Sequence, residues 1–352
     1  MKREPNFEVM RTVAMFFIVV YHCLIRGIDE EHVFIIDNPI SIFNLLFSSL
    51  MLALSSISVN LYVMVSGYFL VDLDFKMRRI VRLWVLACFY SCMITIIMIA
   101  TGVAPFNTVS LCKSLFPLST DSYWFVTQFF GLLILSPFLS ILVRQLSYKQ
   151  YLGLLGGLAF MCLTIIPYFP LGWRFHVTHG NSVWSFAYLF LIAGFIKHHV
   201  NKIKKWKLLL ASILTTTCSV AFELYSGYNN GTVSLCWLDY NSLPFILSIL
   251  VFLYVRQVKI SDSGLWHILV RLAPYSFGVY LIHDHLLVRG WLWKFVSITS
   301  ECGKWFFLFV VIGVCIIIFL SCAFIEALRK RIFTMLRIDR AIAKTDRWSL
   351  YS

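Results

Sequence analysis

The chain has 352 residues, of which 60% are apolar and only 13% are charged. Soluble domains are about half apolar and about a quarter charged, so this chain lacks the polar surface of a water-soluble body of its length. The composition also excludes a disordered chain, a collagen, a coiled coil and a small disulfide scaffold. It indicates a membrane protein.

Apolar stretches of about 20 residues, the length that crosses a bilayer, predict an all-α polytopic membrane protein with about ten transmembrane helices. The predicted spans are residues 10–27, 45–70, 80–101, 124–143, 151–170, 183–196, 208–227, 240–255, 274–295 and 305–325. The loops between them are short. We therefore expect one transmembrane domain over residues 1–328 and a short basic cytoplasmic tail over residues 329–352.

The basic residues predict the orientation of the chain. There are 30 lysines and arginines against 17 aspartates and glutamates, which gives a formal net charge of +13. With ten spans and a cytoplasmic amino terminus, 24 of the 30 basic residues lie on the cytoplasmic side. Because cytoplasmic loops are enriched in lysine and arginine, we expect both termini in the cytoplasm. The same bias explains the positive charge without a nucleic acid partner.

The first predicted span contains two basic residues, Arg11 and His22. They are eleven positions apart, so a helix places them on one face, about 16 Å apart along its axis. Glu8 lies three residues before Arg11 and can pair with it. Histidine suits proton transfer near neutral pH, and arginine suits binding of an anion. The alternatives are a packing histidine and an arginine that only anchors the helix at the membrane surface.

A second basic cluster lies at the start of the third span. Arg79 and Arg82 are three residues apart and project from one helix face, with Lys76 on the same side. Two guanidinium groups at this spacing can bind a phosphate group. The alternative is anchoring of the helix at the cytoplasmic surface.

The ninth span is interrupted by three polar residues, His283, Asp284 and His285. Ionisable residues inside a membrane are costly and therefore indicate function. The two histidines are about 200° apart on a helix and cannot bind one metal ion from the same face, so we expect no metal. We expect His283 to point inward and the other two to lie at the outer aqueous boundary.

Two further segments contain residues that could bind a sugar at the outer side of the membrane. Asp121, Tyr123 and Trp124 lie where an outer loop enters the fourth span, and His176 and His179 lie in another outer loop. Aromatic side chains can stack on sugar rings, and the carboxylate can accept hydrogen bonds from hydroxyl groups. The alternatives are a belt of interfacial aromatic residues and solvated loop histidines.

The sequence resembles the acyltransferase 3 family, integral membrane enzymes that O-acetylate bacterial surface glycans. The resemblance covers nearly the whole chain. It rests on Glu8-x-x-Arg11 with His22 after ten further residues, on SGYFL (66–70) before Arg79-x-x-Arg82, on YWFV (123–126), and on SFGVYLIH (276–283).

The resemblance implies acetyl transfer from cytosolic acetyl-CoA to a hydroxyl of a capsular or exopolysaccharide glycan, or of its undecaprenyl-linked repeat unit, at the bacterial plasma membrane. It implies that His22 is catalytic and that Arg11, Arg79 and Arg82 bind the CoA phosphates. We favour direct attack by the sugar hydroxyl with His22 as general base, supported by His283; a covalent acyl-histidine ranks second.

The oxyanion donors cannot be identified from the sequence; Asn60, Ser66 and Tyr68 are candidates. An alternative function is a flippase or transporter for a lipid-linked or anionic saccharide. The chain shows no internal repeat, which disfavours a transporter built from inverted halves. A protein without chemistry would leave the intramembrane histidines unexplained.

Overall fold

A computed structural model describes residues 4–28, 39–120, 122–162, 182–230, 242–261 and 263–347. These residues form fifteen α-helices and a few short 3₁₀ turns, with no strand among them. The α-helices are α1 (Pro5–Arg26), α2 (Pro39–Ser55), α3 (Ser58–Leu70), α4 (Met77–Ala100), α5 (Thr108–Ser114), α6 (Trp124–Gln145), α7 (Tyr148–Cys162), α8 (Val183–His199), α9 (Lys205–Asn230), α10 (Ser242–Arg256), α11 (Gly264–Leu272), α12 (Ser276–His283), α13 (Leu286–Phe295), α14 (Phe307–Met335) and α15 (Ile338–Ala343).

Within the described residues, six helical stretches are long and apolar enough to cross a membrane. They are Pro5–Arg26, Ile40–Leu70, Met77–Ala100, Trp124–Gln145, Gly264–His283 and Phe307–Met335. The all-helical class is thus confirmed, and the helices indicate a multi-pass membrane protein. The count of about ten spans and the cytoplasmic termini stay predictions. The last stretch continues beyond residue 328, the predicted end of the transmembrane domain.

The first helix, α1, lies at the centre and packs against α2, α3, α10, α11, α12 and α14. We call the end of the bundle at which α1 begins the lower end, and the end at which it finishes the upper end. At the lower end, Asn6 donates to the carbonyl of Val255, 3.0 Å away, near the last residue of α10. At the upper end, the amide of Ile298 donates to the carbonyl of Gly27 at 2.8 Å.

Basic side chains at the lower end donate to carbonyls where helices finish. Arg144 donates to the carbonyl of Val71 at 3.1 Å, and Arg256 donates to that of Ile196 at 2.5 Å. Lys197 donates to the carbonyl of Tyr68 at 2.7 Å. The last carbonyls of a helix lack intrahelical partners and carry partial negative charge, so these cations stabilise several helix ends together.

Lys197 also forms an ion pair with Asp72, which follows the end of α3, at 2.7 Å. Partial burial acts to raise the pKa of Asp72, but the hydrogen bond and charge of Lys197 outweigh it, so the pKa lies below its ordinary value. The two residues join the ends of α3 and α8.

Close contact between α3 and α8 depends on a glycine. A Cβ atom at Gly67 would lie 2.9 Å from the Cα of Phe190, a distance that side chains do not tolerate. The small residues of the SGYFL segment therefore permit close packing of these two helices.

The predicted ninth span, residues 274–295, is not one continuous helix. α12 ends at His283, and α13 begins at Leu286 after His285, whose Nδ1 accepts a hydrogen bond from the Leu287 amide at 3.3 Å. Non-helical backbone inside a membrane protein is tolerated where it is buried in protein or lines a cavity. His283 and Asp284, at this break, lie beside the upper half of α1.

Candidate active site

The centre of the candidate site is a pair of buried histidines from α1 and α12. His22 Nδ1 lies 2.9 Å from His283 Nε2, although the two residues are 261 positions apart in the chain. Only 7% of His22 and none of His283 is exposed. The structure therefore brings together the two histidines that the sequence singled out within spans.

The hydrogen bonds assign the tautomer of each neutral ring. His283 Nδ1 lies 2.7 Å from the carbonyl oxygen of Val279. A carbonyl can only accept, so His283 Nδ1 carries the proton and His283 Nε2 is an acceptor. His22 Nδ1 must then donate to it. The lone pair of His22 consequently resides on Nε2, which is the nitrogen available to accept a proton.

An ion pair lies beside the two rings. Asp284 Oδ1 is 2.6 Å from Arg26 Nη1 and 3.8 Å from His22 Nδ1. The carboxylate can stabilise a positive charge that forms on His22 when its Nε2 takes a proton. Sequence reasoning missed Arg26, although its spacing of four residues from His22 places both on one face of α1.

The expectation that Asp284 and His285 lie at an aqueous boundary was wrong. Asp284 is 2% exposed and His285 is 3% exposed. The turn between α12 and α13 is covered by protein: the Tyr123 ring lies 5.6 Å from the His285 ring, and Arg26 covers Asp284. Burial of the whole His-Asp-His run follows from this packing.

A cavity of about 190 Å³ opens beside the histidine pair. His22 and Arg26 lie in its wall together with Ser55 and Ser56. Much of the remaining wall is aromatic, formed by Tyr21, Tyr62, Trp124, Phe125, Phe277 and Tyr280. The cavity thus combines one neutral base, one cation and an apolar lining, which suits a reaction in which charge develops away from water.

Two of the residues predicted to bind the sugar acceptor, Trp124 and Tyr123, lie in the described part of the chain, and they have different surroundings. Trp124 lies in the cavity wall. Tyr123 is 1% exposed, and its hydroxyl donates to the carbonyl of Leu281 at 2.9 Å, so it supports the end of α12. Asp121, His176 and His179 lie outside the described residues.

At the lower end, Arg11 and Glu8 form the ion pair that their spacing predicts, with 3.0 Å between Nη1 and Oε1. The guanidinium of Arg11 also lies 6.0 Å above the centre of the Phe69 ring. About a quarter of the Arg11 side chain, 27%, is exposed, so it can still be reached from the lower surface.

Arg79 and Arg82 also lie at the lower end, at the start of α4. Arg79 donates to the carbonyl of Asp74 at 2.7 Å, and Arg82 is 3.5 Å from Asp339. Lys76 occupies the position before the first residue of the helix, and its side chain makes no capping hydrogen bond. These side chains are partly exposed, which leaves them open to an anion.

The tail after α14 supplies two carboxylates to this surface. Besides Asp339 on Arg82, Asp346 Oδ2 lies 3.1 Å from Arg78 Nε. Sequence reasoning gave Arg78 no role, because it points away from the Arg79 and Arg82 face.

None of the three residues considered as oxyanion donors lies in the wall of the cavity. Asn60 is 3.5 Å from the Ser248 hydroxyl, and Ser66 donates to the carbonyl of Tyr62 at 2.9 Å. Tyr68 packs at the lower end, its ring 5.1 Å from that of Phe7.

A second buried ionic cluster was missed by sequence reasoning. Glu326 on α14 is 2% exposed, accepts from the Tyr90 hydroxyl at 2.6 Å, and pairs with Arg329 through both carboxylate oxygens. Gly278 on α12 makes room for it, because a Cβ there would lie 2.5 Å from the Glu326 Cγ. The signal in the sequence was a lone acidic residue close to the end of an apolar stretch.

A family model for the acyltransferase 3 family, described as an acyltransferase domain, matches residues 4–326. The chain belongs to the acyltransferase 3 family. This confirms the resemblance and shows a membrane acyltransferase. The match begins before α1 and extends to Glu326, so the histidine pair and its cavity lie inside the acyltransferase domain. No curated protein and no solved structure gives a significant match to the chain.

Proposed function

We propose that this acyltransferase moves an acetyl group from cytosolic acetyl-CoA to a hydroxyl of a bacterial cell-surface glycan or its lipid-linked repeat unit, with His22 as general base. The observation that carries the proposal is the hydrogen-bond chain from Val279 through His283 to His22, which leaves His22 Nε2 as the basic nitrogen of a residue in the cavity wall. Family membership supplies the reaction class.

In the proposed reaction, the oxygen of the acceptor hydroxyl attacks the thioester carbonyl, and His22 Nε2 takes the proton of that hydroxyl. The carbonyl electron pair moves to oxygen and gives a tetrahedral oxyanion. When the carbonyl re-forms, the carbon–sulfur bond breaks, and the CoA sulfur takes the proton from His22 Nε2. Between these two proton transfers, the hydrogen bond to His283 orients the His22 imidazolium and the Asp284 carboxylate stabilises its positive charge.

The acetyl-CoA phosphates are proposed to bind at the lower end. Arg11, Arg79 and Arg82 are partly exposed there, and guanidinium groups suit phosphate oxygens. His22 lies about 16 Å further along α1 than Arg11, at 1.5 Å per residue. The flexible arm of CoA would follow α1 from the lower end to the cavity, which agrees with the predicted cytoplasmic position of that end.

The acceptor is proposed to enter at the upper end. Trp124 and Phe125 present aromatic surface in the cavity wall, which suits the apolar face of a sugar ring. Asp121, His176 and His179 are proposed to provide polar contacts to the same acceptor. Bacterial plasma membrane localisation belongs to the same proposal.

The test is transfer of radiolabel from acetyl-CoA to an isolated surface glycan by the purified full chain in lipid nanodiscs. We expect His22→Ala to lower the transfer rate by at least about 100-fold. A matched control is His198→Gln, because His198 is 38% exposed and pairs with Asp72 at the opposite end of the bundle. Its rate should be unchanged.

Transport of a lipid-linked saccharide by the wild-type chain, without acetyl transfer, would contradict the proposal in favour of the flippase alternative. A rate unchanged in His22→Ala would remove His22 as the base. Label that remains on the protein when the acceptor is omitted, and that is lost in His22→Ala, would replace direct transfer by an acyl-histidine route.

A further inference from the structure

The cavity needs groups that stabilise the tetrahedral oxyanion, and Arg26 is placed to do this. It follows His22 by one helical turn and lies in the same cavity wall. Arg26 Nη1 and His22 Nδ1 both lie within 3.8 Å of one oxygen, Asp284 Oδ1. A base and an oxyanion donor must act on the same reacting carbon, and the two residues lie side by side in the wall of one cavity.

Asp284 fixes the position of the guanidinium. The contact of 2.6 Å is short, and Asp284 is 2% exposed, so the carboxylate is a firm anchor within the protein. This contact uses Nη1, whereas a guanidinium has five N–H donors. With 29% of its side chain exposed, Arg26 keeps donors that can reach a ligand in the cavity.

Ser55 provides a second, independent observation. It lies at the end of α2, is 3% exposed, and is part of the cavity wall. In the described part of the chain its hydroxyl has no hydrogen-bond partner. Buried hydroxyl groups are almost always paired. The Ser55 oxygen is itself buried, so rotation of this side chain toward the cavity would let it donate to a ligand atom.

We propose that the Arg26 guanidinium and the Ser55 hydroxyl are the oxyanion-binding groups of the acyl transfer, and that Asp284 is the residue that positions Arg26. This inference rests on the proposed function. When the acceptor oxygen attacks the thioester, the electron pair of the carbonyl double bond moves to oxygen beside these donors. It returns as the carbon–sulfur bond breaks.

The first experiment measures kcat and KM for acetyl-CoA of Arg26→Gln in nanodiscs. Glutamine keeps an N–H donor for Asp284 but removes the positive charge. We expect kcat to fall about 100-fold, as for loss of one oxyanion donor, with KM for acetyl-CoA within about twofold of wild type. Lys294→Met, at an exposed basic residue of α13 outside the cavity wall, is the control and should retain the wild-type kcat.

Chemical rescue separates a catalytic role from a structural one. Free guanidinium ion should restore part of the kcat of an Arg26→Ala variant and should not restore that of His22→Ala. Absence of rescue, together with a kcat of Arg26→Gln within threefold of wild type, would overturn the role of Arg26. A change confined to KM for the glycan would also overturn it, because Arg26 would then bind the acceptor.

The second experiment avoids the ion pair and therefore any loss of folding. Ser55→Ala should lower kcat about tenfold. Ser49→Ala is a closely matched control, because Ser49 lies on the same helix, is fully buried, and also has a hydroxyl without a partner in the described residues, yet is not in the cavity wall. Equal rates in both serine variants would remove Ser55 from the site.

Failure of the proposed function and failure of the oxyanion site give different results. Absence of acetyl transfer by the wild-type chain contradicts the proposed function itself. Transfer that requires His22 but tolerates Arg26→Gln and Ser55→Ala contradicts only the oxyanion site.

Discussion

The two ends of the helical bundle use charge in opposite ways. At the lower end, cations such as Lys197 and Arg256 donate to the last carbonyls of helices, and others pair with carboxylates at the surface. At the upper end, one cation, Arg26, shares a buried carboxylate with a neutral histidine pair beside a cavity. The cations that donate to carbonyls at the lower end fasten helices together, whereas Arg26 lies where we propose that the reaction takes place.

This difference shows why a basic residue in a membrane protein is not by itself a functional signal. A cation that caps helix carbonyls is fully explained by the partial charge of those helix ends. A buried ionic group beside a cavity is not explained in this way, because its desolvation must be offset by specific partners. Substitutions at buried and exposed charges should therefore differ in their effects.

The largest expected effect is on stability, from the Glu326 cluster. Glu326→Ala leaves the Arg329 guanidinium, which is 8% exposed, without its carboxylate partner. We expect the free energy of unfolding to fall by about 3–5 kcal/mol, seen as a lower Tm in detergent. The matched control is Glu301→Ala, because Glu301 forms an ion pair of the same i, i+3 type with Lys304 at the exposed surface. An equal loss of Tm in both variants would contradict the distinction.

The next effect is on catalysis, at the histidine pair. His283→Ala removes the acceptor that holds His22 Nδ1 and so frees the ring to adopt the other tautomer. We expect kcat to fall about 100-fold, the range for a misplaced general base, with KM for acetyl-CoA little changed.

The control for His283 is His199→Ala, a histidine packed among aromatic rings at the lower end, with its ring 5.1 Å from that of Phe195. Its kcat should stay at the wild-type level. A loss of activity as large as that of His283→Ala would show that the effect arises from packing rather than from the hydrogen bond.

The smallest effect is on donor binding at the start of α4. Arg82→Ala should raise KM for acetyl-CoA about fivefold while kcat stays constant, because an exposed charge contributes about 1 kcal/mol to binding an anion. Asp339→Asn should have the opposite sign, since it removes a carboxylate 3.5 Å from Arg82. A fall in kcat without a change in KM would place Arg82 outside the donor site.

The sequence predicted what depends on spacing within one helix. Glu8 and Arg11 form the ion pair that their i, i+3 spacing predicts. The helical class follows from apolar stretches of about 20 residues, because a helix pairs all the backbone hydrogen-bonding groups of such a stretch within the bilayer. His22 and His283 were both recognised because an ionisable side chain inside a span needs a reason.

What the sequence could not show depends on contacts between distant segments. The approach of His22 to His283 joins residues 261 positions apart, and the break after His283 has no glycine or proline to mark it. Asp284 was expected near water because a carboxylate in isolation prefers it; Arg26 at 2.6 Å reverses that preference. Ser55 carries no sequence signal, since only its position in the cavity wall distinguishes it.

The proposed reaction requires that His22 holds its proton on Nδ1 and offers Nε2 as the base. Nitrogen-15 NMR of the full chain with labelled histidine, in nanodiscs at neutral pH, reports the protonation of each ring nitrogen directly. The His22 signals are assigned by their loss in His22→Gln. We expect a protonated Nδ1 and an unprotonated Nε2 for His22, with the Nδ1 signal altered in His283→Ala. A His22 ring with its proton on Nε2 would exclude the proposed general base.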